Sequence, residues 1–159
     1  MLNTPTAVLE RPMRAPEAPT REERNPVRGR DITTALASSL LRDVDENALL
    51  SLIDECWVEV RAPADRLIEA GHPCEHVYVV LSGQLSAKFA DELGEPRIRL
   101  RAGDCVGEIS WIDRLDAPAT VTCAAQVRLL VVPKDALWRA VERSHALAVN
   151  VLRVLSRCM

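Results

Sequence analysis

At 159 residues, 48% apolar and 27% charged, the chain has the size of one domain and an ordinary globular composition. A net charge of −3 and a pI near 5.7 argue against a nucleic-acid binder, whose phosphate contacts need clustered Lys and Arg. No apolar run of about eighteen residues occurs, and prolines and charges break Thr4 to Arg30, so neither a membrane span nor a secretory signal is expected.

The first thirty residues hold five of the ten prolines, with six arginines against four glutamates and no apolar period. Such a stretch buries too little surface to offset its ordering entropy, so residues 1–30 are expected to be a disordered or loosely attached leader. Order is expected from Asp31 to residue 159. Ile32, Ala35, Leu36 and Leu40 recur at helical spacing, and Asp45 reads as the N-cap of a second helix carrying Ala48, Leu49, Leu52 and Ile53.

From Cys56 to Pro133 the period changes to short apolar or alternating runs. Trp57–Val60, Arg66–Glu69, His76–Leu81, Gln84–Phe89, Arg97–Leu100, Cys105–Val106, Ala119–Cys123 and Val127–Val132 read as eight strands. Pro63, Gly71-His72-Pro73, Ser82-Gly83, Glu92-Leu93-Gly94 and Ala102-Gly103-Asp104 separate them. Regular short strands with turns every eight to twelve residues point to an antiparallel barrel or jelly roll. Helical spacing returns at 134–158, first over Lys134–Arg143 and then with Leu147, Val151, Val154, Leu155 and Cys158 as an apolar stripe. The fold class is therefore α+β, a barrel with helices at its ends.

Three landmarks within this order carry a resemblance. They are Ile68-Glu69-Ala70-Gly71 with Val77 to Leu85 and its Gly83, then Leu100 to Ile109, then Ala119-Thr120-Val121. From about Leu41 to Leu155 the chain resembles the cyclic-nucleotide-binding domain family, sensor modules found in catabolite-activator-type regulators, kinase regulatory subunits and gated channels. The resemblance implies that Leu100-Arg101-Ala102-Gly103-Asp104-Cys105-Val106-Gly107-Glu108-Ile109 leads into a phosphate-binding cassette. Gly107 would let the backbone approach a ligand, and Glu108 would accept from a ribose 2′-hydroxyl. A short helix over Ile109 to Arg114, with Ser110, would aim free amides at an anion.

In that family an arginine three residues before the Thr-Val pair clamps the cyclic phosphate, and the next residue adds a backbone N–H. Here those positions are Ala117 and Pro118, which offer neither charge nor amide. The implied ligand contacts are thus Gly107, Glu108, Ile109, Ser110, Ala117, Ala119 and Thr120, with Arg114 as a displaced cation. A cyclic nucleotide is the one cofactor implied, and its binding in the usual manner is not expected.

The remaining signals read more plainly. His72-Pro73-Cys74-Glu75-His76 is a polar turn before it is a metal cluster, which leaves a cupin-like metalloprotein as the remotest alternative. Ser144-His145 reads as an N-cap and a surface histidine, so no catalytic residue and no enzyme activity are expected. Trp111 and Trp138 suit core filling at least as well as stacking on a base. The five cysteines contain no CxxC pair and suggest a reduced, cytoplasmic protein. In this family the last helix commonly forms a homodimer interface, here through Leu147, Val151, Val154 and Leu155. It also resembles the linker before the GGDEF domain of some bacterial diguanylate cyclases. The expected function is a regulatory sensor that biases an attached or separate output domain; the alternative is a ligand-free interaction or dimerisation domain.

Overall fold

The computed structural model describes residues 24–89 and 98–158. The leader up to residue 23, the turn at Glu92-Leu93-Gly94, the start of the fifth strand at Arg97 and the Cys158 side chain lie outside the described residues.

Two helices open the fold, α1 (Gly29–Leu36) and α2 (Glu46–Ile53). The α2 start is fixed as its sequence predicts: the Asp45 carboxylate accepts the Ala48 N–H at 3.0 Å. The first helix is shorter than its apolar spacing suggested. It ends at Leu36, and a turn carries Leu40 and Leu41 into the core with no exposure.

Eight strands follow: β1 (Trp57–Arg61), β2 (Arg66–Ile68), β3 (His76–Ser82), β4 (Leu85–Phe89), β5 (Ile98–Leu100), β6 (Cys105–Val106), β7 (Ala119–Cys123) and β8 (Val127–Pro133). They form two antiparallel sheets, ordered β1-β8-β3-β6 and β2-β7-β4-β5, the arrangement of a jelly roll. A short helix, α3 (Glu108–Asp113), interrupts the strands, and α4 (Lys134–Arg143) and α5 (His145–Cys158) close the chain.

In the β1-β8-β3-β6 sheet, the central strands β3 and β8 are buried on both faces. Along β3 the alternation sends Tyr78 and Val80 into the barrel and Val77, Val79 and Leu81 against the helices. This explains why β3 reads as a continuous apolar run, whereas β4 and β7 alternate. Cys74, Cys105 and Cys123 are buried and form no disulfide.

Two expectations are corrected here. Residues 24–30, assigned to the leader, belong to the fold: Asn25 bridges Val58, the Arg24 guanidinium lies 3.8 Å from the Trp57 ring centroid, and α1 begins at Gly29. The anchor is long-range, since the Asp31 carboxylate pairs with Arg128 at 2.8 Å across 97 residues, and no local pattern reveals it. The stripe assigned to a dimer interface instead faces inward. Leu147, Val151 and Val154 are buried in the helix-side core, and Leu155 is half-buried against it. Their period is that of a helix covering its own sheet.

The last helix is also tied by polar bonds. The Ser144 hydroxyl accepts the Leu147 N–H at 3.3 Å as an N-cap. The buried Asn150 amide donates to the carbonyls of Leu40 and Arg42 at 3.0 and 2.7 Å. It thereby holds α5 to the turn after α1.

Candidate ligand pocket

Between β6 and β7 the chain makes the excursion that forms the pocket. Gly107 caps α3 with φ +93°, and a Cβ there would lie 2.5 Å from the His76 carbonyl oxygen. The glycine is therefore required by the approach of β3, not only by a ligand as its sequence context suggested. Glu108 follows, 5% exposed, at the start of α3. The Ser110 hydroxyl donates to the Gly107 carbonyl at 3.3 Å. Trp111 turns away from the cavity into the helix-side core, where its indole N–H donates to the Lys134 carbonyl at 3.2 Å. Its ring meets Trp138 edge-on at 5.4 Å, so neither indole lines the pocket.

The cavity has a volume of about 110 Å³, small beside the ~300–1,000 Å³ usual for small-molecule sites. Of the residues singled out in the sequence, Gly107, Glu108, Ile109, Ser110, Ala117 and Ala119 line it, together with Pro118. An apolar wall that the motif reading missed completes it: Ile68, Ala87, Phe89, Ile98, Leu100, Val106 and Val121. The signal for that wall was present in the alternation of β4 and β7, which turns Ala87, Ala119 and Val121 inward. Glu108 is the one charged side chain among the described lining residues.

Two expected contacts are not brought to the pocket. Arg114 is exposed, since α3 ends at Asp113 and the chain turns left-handed at Arg114 with φ +58°. Thr120 sits on the opposite face of β7, and its hydroxyl oxygen accepts the Ala70 N–H at 3.1 Å. That bond ties β7 to the hairpin turn and explains the residue without a ligand.

Ala117 occupies the place of the expected clamp and is 4% exposed. Its N–H donates to the His72 carbonyl and its carbonyl accepts from the Gly71 N–H, each at 2.9 Å. Both peptide groups are thus held by the turn between β2 and β3, which leaves the methyl as its contribution to the cavity. The neighbouring polar turn does not converge. His72 is exposed, the Cys74 thiol donates to the His76 carbonyl at 3.1 Å, and His76 lies edge-on to Trp57 at 5.2 Å. Burial chiefly pushes the Cys74 thiol up and the His76 imidazole down, disfavouring the charged form of each.

A jelly roll with a cassette helix between β6 and β7 and helices packed on one sheet is the architecture of a small-ligand regulatory module. The family model for the cyclic nucleotide-binding domain matches residues 59–144, and the chain belongs to that family. Among curated proteins it is 28% identical over 85 residues to a Rhodopseudomonas palustris protein named "Putative potassium channel protein RPA4233", covering 54% of this chain and 21% of that one. The chain therefore spans about a fifth of the length of that relative.

Solved structures share the fold at low identity. The sensor domain of the transcriptional regulator DNR from Pseudomonas aeruginosa superposes with a TM-score of 0.67 at 17% identity, covering 80% of this chain and 91% of that one. The Thermus thermophilus catabolite activator protein gives 0.65 at 21%, covering 76% and 57%. A Trypanosoma brucei regulatory subunit of a cAMP-independent protein kinase A, as a triple mutant bound to cAMP in the A site, gives 0.67 at 22%, covering 81% and 47%. One substitution in that mutant replaces a threonine by arginine. No helix among the described residues is long and apolar enough to cross a membrane.

Proposed function

We propose that this chain is a non-enzymatic regulatory sensor module whose pocket keeps the family's shape but lacks its phosphate clamp, so that cAMP and cGMP are not taken in the family's usual manner. One observation carries this reading: Ala117 brings no charge, its amide is held by His72, and Pro118 has no N–H. An anionic phosphate entering this cavity would meet Glu108 and no cation among the described lining residues. The Trypanosoma brucei mutant that acquired an arginine and is bound to cAMP offers a parallel.

Pocket occupancy reaches the output through α3. Glu108 and Ile109 line the cavity, while Trp111, in the same short helix, is packed in the helix-side core with Leu147 and Val151 of α5. A change in α3 is thereby felt at the last helix, which biases an output domain, attached or separate. The resemblance of α5 to the linker of certain diguanylate cyclases favours an attached bacterial output of that kind, in the cytoplasm. Homodimerisation through α5 remains part of the reading, but by its outer face. Leu152 is 66% exposed there, whereas the inward stripe is not available.

Calorimetric titration with cAMP, cGMP and cyclic di-GMP tests this, with Ala117→Arg and Ala117→Arg/Pro118→Ala in parallel. The unmodified protein should show no cyclic-nucleotide heat. The arginine restores a charge-assisted pair of about 2–3 kcal/mol, a gain of roughly 30- to 150-fold in affinity. Tight binding by the unmodified protein would overturn the reading.

A further inference from the structure

We infer that the cavity is a site for an uncharged, apolar molecule no larger than a single small ring, held by shape and by its removal from water. The inference rests on the missing phosphate clamp and adds the class of ligand that the remaining lining selects. Ile68, Phe89, Leu100, Val106 and Val121 form much of the wall. Ile98, which also lines the cavity, is 49% exposed, so the cavity meets the surface at the first residue of β5.

Volume sets the upper size. A dry cavity of about 150 Å³ lined by Leu, Ile and Phe takes up benzene or xenon. The about 110 Å³ here, lined in the same way, suits one ring and not two. The hollow exists because Ala87, Ala117 and Ala119 line it with methyl groups, and the pairing of β4 with β7 sets Ala87 opposite Val121 and Phe89 opposite Ala119.

Polarity argues the same way. A water in such a cavity needs about two to four polar partners. The Ser110 hydroxyl is engaged with the Gly107 carbonyl, the Ala117 peptide groups with His72 and Gly71, and Glu108 already has a partner within the chain. Water is therefore held poorly, and an apolar body that displaces it is favoured. An anion would lose its hydration there and meet no cation among the described lining residues.

The test titrates the whole chain with benzene, benzoate, benzylammonium and indole, followed by amide shifts of isotope-labelled protein. Benzene should bind saturably with a Kd of about 0.1–1 mM, the strength expected from burying about six carbons. Its shifts should centre on Ala87, Leu100 and Val121. The two charged rings should bind about tenfold or more weakly, and so should indole, whose second ring exceeds the cavity. Ala119→Leu, which extends a side chain into the hollow, should abolish the benzene shifts while circular dichroism reports a folded protein. Should that variant not fold, Ala87→Leu fills the same hollow from β4, and the location of the shifts on the unmodified protein decides independently of both.

Benzene shifts that survive filling in a folded variant, or that map away from these strands, overturn the inference. Equal or tighter binding of indole or of either charged ring does so too. Absence of any saturable benzene shift also overturns it, and leaves the missing-clamp reading intact. Tight cAMP binding by the unmodified protein is the separate result that removes that reading.

Discussion

Replacing Gly107 by alanine probes the cassette where it meets the barrel. The residue sits at φ +93°, and an added Cβ would lie 2.5 Å from the His76 carbonyl oxygen, an atom of the β3 backbone with no freedom to move aside. Left-handed strain in a non-glycine residue costs about 1–3 kcal/mol. Forcing backbone to shift in a packed region costs about another 1–3 kcal/mol. Gly107→Ala should therefore lose about 2–6 kcal/mol, lowering Tm by roughly 5–20 °C in a chain of this length. Gly71→Ala is the internal control: φ is +79°, but nothing lies within 4 Å of the added carbon, so only the first cost of about 1–3 kcal/mol applies. Urea unfolding of both variants, with m-values checked for constancy, measures the difference. Equal losses would show that β3 does not dictate this glycine, and the packing account of the cassette would fail.

Asn150→Ala removes the donors to the Leu40 and Arg42 carbonyls and should cost about 1–3 kcal/mol in denaturant unfolding. It should also speed amide exchange in the turn after α1 before the barrel is affected, and unchanged exchange there would contradict the role of that bond. The third prediction concerns pH. Burial opposes ionisation of Asp31 most strongly, yet the Arg128 bond, the Arg28 N–H and two guanidinium charges outweigh it and hold the carboxyl below its usual value. A depressed carboxylate contributes stability that is present above the unfolded value of about 3.9 and is lost as pH falls through the folded value. Asp31→Asn should thus be less stable at pH 7 and lose less on acidification below about pH 4, as urea midpoints across that range would show. An identical acid slope in both proteins would contradict it.

The strands were legible because each carries its own period and its own breakers. Asp45 and Ser144 were legible as caps because a capping bond spans three residues. What escaped is decided by partners distant in sequence. Asn25 against Val58 extends the fold into the proline-rich stretch, Asp31 against Arg128 secures the helix that follows it, and neither pair leaves a local trace. An apolar stripe at helical spacing, as in α5, says that one face is covered but not by what, so Leu147, Val151 and Val154 fit a dimer seam as well as a private core. Thr120 belongs to the motif that identifies the family, yet its hydroxyl serves Ala70. In the pocket, the departures at Ala117 and Pro118 were readable from spacing alone. The apolar wall needed the sheet to bring β4, β5 and β7 together.

The central strands buried on both faces have a consequence for how such a module diversifies. On β3 and β8, neighbouring residues answer to different compartments: Tyr78, Val80, Leu129 and Val131 to the barrel, and Val77, Val79, Leu130 and Val132 to the helices. A lineage can therefore rework its recognition chamber by changing every second residue and leave the transmitting surface untouched. Descendants of one ancestor could then answer to unrelated signals while driving the same machinery.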